Sequence, residues 1–433
     1  MIYDVIIIGS GLSGLICANI LSREGLSVCV LEKNKQFGGC LQTFKRKGVE
    51  FDTGVHYIGS LGKGEYLYNF FKYFGIMDKV KFKKMDEDCF DKISFKNKEY
   101  CYAMGFENFA ETLKKDFPKE KYAIDNYVKE IVKKVNSLNI LNLRNVNMND
   151  IVEPIFSDIS TLDFLNSITN NYELQNVLAG TNTLYANKSE RTSFFIHSII
   201  NHSYIQSSWR HIGGSKNIVD ALLGVIDANG GAAFKSCDVR KLYLKNSKID
   251  SVELENGEIL YGKNFISSIH PYELLKRIDT GNFRKSYVQR INNMDSTISS
   301  FGVYVKFKEN KFKFLNYNYY DYYGENVWEV YDYKEELWPR AYTFMTPPNF
   351  KDMEFANSSI IIALMNYNDV KKWENTNVEH RGEEYLEFKK RKAEKVFDLI
   401  EKKFSGFQSS IDDFYTSTDR KSTRLNSSHG KLS

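Results

Sequence analysis

The stretch "DVIIIGSGLSGL", residues 4–15, decides the reading of the fold. A short apolar run ends in glycines, the pattern of a strand buried in a parallel sheet. Gly9-x-Gly11-x-x-Gly14 follows at once, and residues 12–24 read as a helix. In such a turn the first glycine makes the tight bend. The second lets the backbone approach a pyrophosphate, and the third lets helix and strand pack closely. The helix N-terminus offers free N–H groups and partial positive charge to the phosphates. "LSVCVLE", residues 26–32, is the next strand, giving a βαβ unit with a right-handed crossover. Glu32 ends that strand 23 residues after Gly9. A carboxylate there accepts hydrogen bonds from ribose hydroxyls and repels a 2′-phosphate. Ser10, Leu12, Ser13 and Lys33 lie in the same turns and are candidate ligand contacts.

A dinucleotide turn does not separate NAD from FAD. "FGGCLQTF", residues 37–44, does. Gly38-Gly39 lets the backbone approach the cofactor a second time, and its bare N–H groups can stabilise an anionic oxygen. An NAD enzyme has no need of that contact so soon, so the pair points to FAD. "FDTGVHYIG", residues 51–59, follows. Asp52 and Gly54 shape a turn. His56 and Tyr57 are the candidate catalytic residues, as acid or base or as groups that orient substrate; the competing reading is a structural pair bonded to backbone.

Composition narrows the rest. A chain of 433 residues holds two or three domains, or one interleaved with another. With 42% apolar residues it is neither disordered nor a membrane bundle. A net charge of +4 with no recurring basic face argues against nucleic-acid binding. The abundance of Lys, Asn, Tyr, Phe and Ile fits A/T-rich codon usage rather than an aromatic-lined site. Cysteines stand at 17, 29, 40, 89, 101 and 237 without Cys-x-x-Cys or zinc spacing, which predicts free thiols in a reducing cytoplasm. No metal site is expected. Asp4 interrupts any signal peptide, and the apolar run 5–21 is broken by Gly9, Gly11, Gly14 and Asn19.

Further along, Leu67, Phe70, Phe71 and Phe74 fall on one helical face, as do Phe106, Phe109, Ala110 and Leu113. Core packing is the plain reading of these stripes; the wall of an apolar substrate tunnel is the other. A third helix is read from "YAIDNYVKEIVKKVNSL", and more through 161–205. "GGSKNIVDALLGVIDANGG", residues 213–231, reads as a glycine turn, a helix and a glycine stop. Strands follow, with Asn256-Gly257 as a hairpin turn, and others at 301–307 and 359–365. Residues 384–404 read as a charged amphipathic helix. His197 and His202, five apart, share no helix face well, so a ligand pair is not expected. His211 and His270 sit at structural junctions.

The stretches "DVIIIGSGLSGLICANILSREGLSVCVLEKN", "FGGCLQTF", "FDTGVHYIG", "IGGSKNIVDALLGVIDANGG", "CDVRKL" and "FISSIHP" together resemble the flavin amine-oxidase-like superfamily. Within it they resemble the phytoene desaturase, carotenoid isomerase and retinol saturase branch. The resemblance implies an α/β fold: a doubly wound FAD-binding domain of glutathione-reductase type, interleaved with an α+β substrate domain. It implies that Gly9, Gly11 and Gly14 hold the pyrophosphate and Glu32 the adenosine ribose. Gly38, Gly39 and Cys40 would lie near the ribityl chain, where the desaturases often carry arginine in place of Cys40. Val239 would touch adenine through its backbone, and His56 would lie near the flavin or the substrate entrance.

The expected partition is 1–60 and 206–285 for the FAD domain, and 61–205, mainly helical, with 286–400 for the substrate domain. Residues 401–418 would return toward the FAD domain. The last stretch, "DRKSTRLNSSHGKLS", residues 419–433, begins with eleven residues that match a translated sequencing adapter. Native sequence is therefore expected to stop near Thr418, before the family's glycine-rich C-terminal segment. The implied function is flavin-dependent saturation, desaturation or isomerisation of carbon–carbon double bonds in a polyene or isoprenoid-like lipid, with the protein cytoplasmic or peripheral at a membrane. Alternatives are an amine or porphyrinogen oxidase, and a non-catalytic prenyl-binding protein of GDP-dissociation-inhibitor type.

Overall fold

The apolar run at the start forms strand β1, Ile2–Ile8, buried from Val5 onward. Helix α1, Leu12–Arg23, follows the glycine turn, and β2, Val28–Glu32, is buried along its whole length. The computed structural model describes residues 2–95, 98–145, 159–185, 192–294, 299–324, 326–331, 333–348, 353–374, 376 and 380–418. The 419–433 stretch lies outside the described residues.

β1 and β2 sit inside a six-stranded sheet, in the order Ala232–Lys235, β2, β1, Ile259–Ser267, Lys248–Leu254 and Val239–Lys245. The first four strands run parallel, and the last three form an antiparallel meander turned at Asn256-Gly257. Strand periodicity explains why both faces of β1 are apolar. Val5 and Ile7 pack with Leu15 of α1 and with Leu222 and Ile226 of the helix Lys216–Ala228. Ile6 and Ile8 pack on the other side with Val239, Leu242, Val252 and Leu275. The carboxyl ends of β1 and β2 are thereby left as the rim of a crevice, the usual ligand position in such sheets.

The second sheet has seven strands, in the order Ile411–Thr418, Ser299–Phe307, Ser358–Met365, Ala341–Met345, Asn318–Tyr322, Asp91–Phe95 and Lys98–Tyr102. All neighbours are antiparallel except Asn318–Tyr322 with Asp91–Phe95. The helix Glu383–Lys403 packs into one core of this sheet through Phe388, Val396, Phe397 and Ile400. Helices Phe106–Asp116, Lys121–Asn136 and Phe194–Gln206 build the other. The fold is thus α/β, with a Rossmann-like parallel sheet and a mixed second sheet.

The apolar stripes are core. Phe109, Ala110 and Leu113 are buried in the helical cluster, and Phe71 and Phe74 are buried against Leu222 and Val225. The second placement puts the helix Tyr66–Tyr73 on the first sheet's core rather than in the helical cluster. Strands within 91–102 belong to the second sheet, so 61–205 is not purely helical. Ile411–Thr418 also lies in the second sheet, as the edge strand beside Ser299–Phe307.

The free-thiol expectation needs correction. Cys89 and Cys101 form a disulfide, with Cα atoms 4.9 Å apart. Neither spacing nor motif marks them. The antiparallel pairing of Asp91–Phe95 with Lys98–Tyr102 brings the two chain positions together. Cys17, Cys29, Cys40 and Cys237 are free thiols. Among the described residues no helix is long and apolar enough to cross a membrane.

Candidate functional site

The glycine turns meet around one cavity of about 280 Å³. Gly9, Ser10, Gly11, Leu12 and Ser13 form one wall, Glu32 and Lys33 a second, and Gly38, Gly39 and Cys40 a third. Cys237, Asp238 and Val239 close the far end with Glu273 and Arg277.

Each glycine in the first turn meets a different constraint. Gly9 has φ +97°, and a Cβ there would lie 2.7 Å from Ser268 Oγ. A Cβ on Gly14 would lie 2.3 Å from the Gly9 carbonyl oxygen, so Gly14 sits behind the wall and lets α1 pack on β1. A Cβ on Gly11 would meet no atom within 4 Å. Its bareness serves no internal packing; it keeps the cavity wall flat where a ligand would lie. That bare, open wall fits a dinucleotide. Gly38, at φ +112°, bridges back to Gly11, and its N–H donates to the Ser10 carbonyl at 3.1 Å. The two glycine turns are therefore one connected surface.

Glu32 is buried, and its carboxylate is held by chain donors. Oε2 accepts the Ser10 N–H at 3.1 Å and the Ser10 hydroxyl at 2.5 Å, and Oε1 accepts the Asn34 N–H at 2.8 Å. Oε2 is saturated by Ser10, and one acceptor site remains on Oε1 for a ribose hydroxyl.

"FDTGVHY" divides differently from its sequence reading. Asp52 does more than shape a turn. Its Oδ1 accepts the Ser215 N–H at 2.7 Å and hydroxyl at 2.6 Å, and its Oδ2 lies 3.2 Å from His211 Nε2. It clasps the turn at Gly213-Gly214-Ser215 to the segment that carries Asp52. Burial pushes the His211 imidazole below its ordinary range, with Asp52 opposing. Val55 lines the cavity, whereas His56 is half-buried beside it and is not on the lining. Tyr57 is buried, and its hydroxyl pairs with Asp91 Oδ2 at 3.1 Å and Tyr320 at 2.8 Å while its ring stacks on Tyr204. The polar end of Tyr57 is thus taken by the strand Asp91–Phe95 and its neighbour Asn318–Tyr322, and Tyr57 is not on the cavity lining.

The remaining histidines are placed apart. His197 is fully buried between the Tyr127 and Tyr185 hydroxyls, and burial pushes it down to about 3. His202 lies against Phe106 and is pushed down to about 4 by burial. His270 caps the helix Pro271–Leu275, its Nδ1 accepting the Tyr272 N–H.

Two groups escaped the sequence reading. One is a buried network in which Asn318 Nδ2 donates to Asp91 Oδ1 at 2.7 Å and Arg210 donates to Asn318 Oδ1 at 2.9 Å. The other is Glu273 with Arg277 at the cavity's far end. The first carries no local signal, because it is assembled from segments far apart in the chain; Glu273 and Arg277 pair locally, four residues apart, but their place at the cavity depends on the contact of Arg277 with Val239, 38 residues away.

A family profile for an NAD(P)-binding Rossmann-like domain matches residues 7–74. An all-trans-retinol 13,14-reductase of Danio rerio is 26% identical over 429 residues, 89% of this chain and 70% of that protein. A second Danio rerio relative, named an inactive all-trans-retinol 13,14-reductase, is 24% identical and covers 91% of this chain and 71% of its own length. A chloroplastic prolycopene isomerase of an Oncidium hybrid cultivar is 24% identical, over 66% of this chain and 53% of its own length. Among solved structures, a putrescine oxidase redesigned in its cofactor binding superposes with TM-score 0.61 at 16% identity, covering 98% of this chain and 86% of that one. Cyclohexylamine oxidase from Brevibacterium oxydans superposes with TM-score 0.59 at 15% identity, covering 97% and 85%. These structures share the fold. Turn geometry, sheet order and sequence similarity agree that the chain carries a Rossmann-like dinucleotide-binding domain on an amine-oxidase-like fold and is a homologue of the all-trans-retinol 13,14-reductases and prolycopene isomerases.

Proposed function

We propose that this chain is an FAD-dependent oxidoreductase that saturates, desaturates or isomerises carbon–carbon double bonds in a polyene or isoprenoid-like lipid. The observation that carries the cofactor is the joined pair of glycine turns, Gly9–Gly14 and Gly38–Gly39, facing one cavity with Glu32. A single turn suffices for a pyrophosphate; the second extends the bare-backbone surface toward the ribityl end of a longer cofactor.

In this reading Gly9 to Ser13 and the start of α1 hold the pyrophosphate, and Lys33 flanks the ribose that Glu32 binds. Val239 meets adenine, and Gly38, Gly39 and Cys40 approach the ribityl chain. Bound there, the flavin supplies hydride or electron transfer. His56, next to Val55 on the cavity wall, is the side chain proposed to move a proton or orient substrate. Tyr57 holds that segment against the second sheet. The polyene class rests on the names of the relatives.

Two measurements test this. The purified chain is titrated with FAD while the visible absorption spectrum is recorded; absence of uptake removes the cofactor. The loaded protein is then offered retinoids or carotenoids, and separately amines with peroxide detection. Amine turnover without polyene turnover would transfer it to the oxidases. Uptake without any turnover would favour a non-catalytic role, as the name of the inactive relative allows.

A further inference from the structure

The far end of the cavity is built on Cys237, Asp238 and Val239, and these residues are pinned from two sides. On one side the Ser236 N–H donates to the Asn34 carbonyl at 2.9 Å and the Cys237 N–H to the Glu32 carbonyl at 2.8 Å. This fixes the segment to the end of β2. On the other side stands Arg277. Its Nε donates to the Val239 carbonyl at 2.8 Å, and its Nη2 lies 3.6 Å from Asp238 Oδ1. Its Nη1 donates to the Glu273 carbonyl at 2.9 Å and Oε2 at 3.0 Å. The backbone of the same residue takes part, since the Leu242 N–H donates to the Arg277 carbonyl at 2.7 Å.

A guanidinium has five donors in a rigid plane, so one arginine can fix a carbonyl and two carboxylates at once. Lysine, with one point of charge, cannot reproduce that fork. Three acidic groups, Glu32, Asp238 and Glu273, border this end of the cavity, and Arg277 is the cation set among them. Without it the Val239 carbonyl would lose its guanidinium donor, and Asp238 and Glu273 would lose the cation they share.

We propose that Arg277, oriented by Glu273, is a positioning residue for the purine end of the dinucleotide, acting through the Asp238–Val239 backbone. This rests on the dinucleotide reading of the cavity and adds the residue that shapes its adenosine end.

The test is the affinity of three probes, FAD, ADP and FMN, by titration calorimetry on the full chain. ADP reports the adenosine end alone, and FMN the flavin end alone. Arg277→Met is expected to weaken FAD and ADP by about tenfold or more while leaving FMN unchanged. Arg277→Lys is expected to recover only part of the loss. Equal ADP affinity in wild type and Arg277→Met overturns the inference, as does an equal loss for FMN. If Arg277→Met fails to fold, Glu273→Gln decides, since it keeps the cation and neutralises the carboxylate that orients it. A weaker ADP affinity there supports the inference and an unchanged one overturns it. A wild-type chain that binds neither FAD nor ADP overturns the dinucleotide reading itself.

Discussion

Ser10 donates twice to one oxygen of Glu32, through its hydroxyl at 2.5 Å and its backbone N–H at 3.1 Å, while its own hydroxyl oxygen and carbonyl accept the Gly38 N–H. A residue at a nominally variable position of the glycine turn thus joins the pyrophosphate wall, the ribose carboxylate and the second glycine pair. It has no exposed surface, so its role is internal.

Glu32→Gln should therefore weaken ADP and FAD by about tenfold to a hundredfold, because a charged acceptor is replaced by a neutral one with half its acceptor capacity. Ser10→Ala should have a smaller effect, about tenfold or less, since the backbone donors to Glu32 persist. Titration calorimetry of both variants checks the ranking. A larger loss in Ser10→Ala than in Glu32→Gln would contradict it.

Gly11 and Gly14 should separate ligand binding from folding. Gly14→Ala drives a methyl to 2.3 Å from the Gly9 carbonyl oxygen and should cost about 1–3 kcal/mol or more of stability. Gly11 has φ −60° and open space at its Cβ, so Gly11→Ala should leave Tm within a few degrees of wild type. It should nonetheless weaken dinucleotide binding at least about tenfold by intruding on the ligand. Thermal denaturation with an ADP titration on each variant reads both effects. Normal ADP affinity in Gly11→Ala would exclude this wall as the binding surface.

Asp52 joins two segments that both carry glycine turns. Asp52→Ala removes the acceptor for Ser215 N–H and Oγ–H and leaves a buried imidazole, His211, without its carboxylate. Loss of about 3 kcal/mol is expected, because buried donors are left unsatisfied. Urea denaturation checks it, with Ser215→Ala as the milder control. Equal stability of Asp52→Ala and wild type would show that the clasp contributes nothing net.

What could be read from the sequence was local. The strand-turn-helix at Gly9–Gly14, the hairpin at Asn256-Gly257 and the buried stripe Phe109–Ala110–Leu113 each rest on neighbours a few residues apart. Spacing and propensity encode those directly. The contacts that shape the ends of the site are not of that kind. Asn318 reaches Asp91 across 227 residues, and Arg277 reaches Val239 across 38. No periodicity marks such a pair in one sequence. The same holds for Tyr57: its place in "FDTGVHY" is visible, but its burial against Tyr204, Asp91 and Tyr320 depends on a parallel strand pairing that nothing in the local pattern announces.

That network makes a prediction about pH. Asp91 is fully buried, and burial pushes its carboxyl up to about 7, against the opposing hydrogen bonds from Asn318 and Tyr57 and the field of Arg210. The groups around it are Tyr57, Tyr204 and Tyr320, all held above their ordinary range, and Arg210, which burial lowers only to about 10 and which stays charged. Between the ordinary carboxylate range and about 7, the folded chain holds a proton that the unfolded chain has released. The contribution of Asp91 to stability is therefore fully present in acid and lost as pH rises through about 7, an effect of about 4 kcal/mol at most. Asp91→Asn removes the titration and keeps an acceptor for Asn318 and a donor for Tyr57. The variant should match wild type in stability near pH 4, where Asp91 is neutral, and exceed it by a few kcal/mol near pH 8, where the buried carboxylate is charged. Urea melts of both proteins across that range decide it: a stability difference that does not change with pH would show that Asp91 is already ionised in the folded chain, with Arg210 as its effective partner.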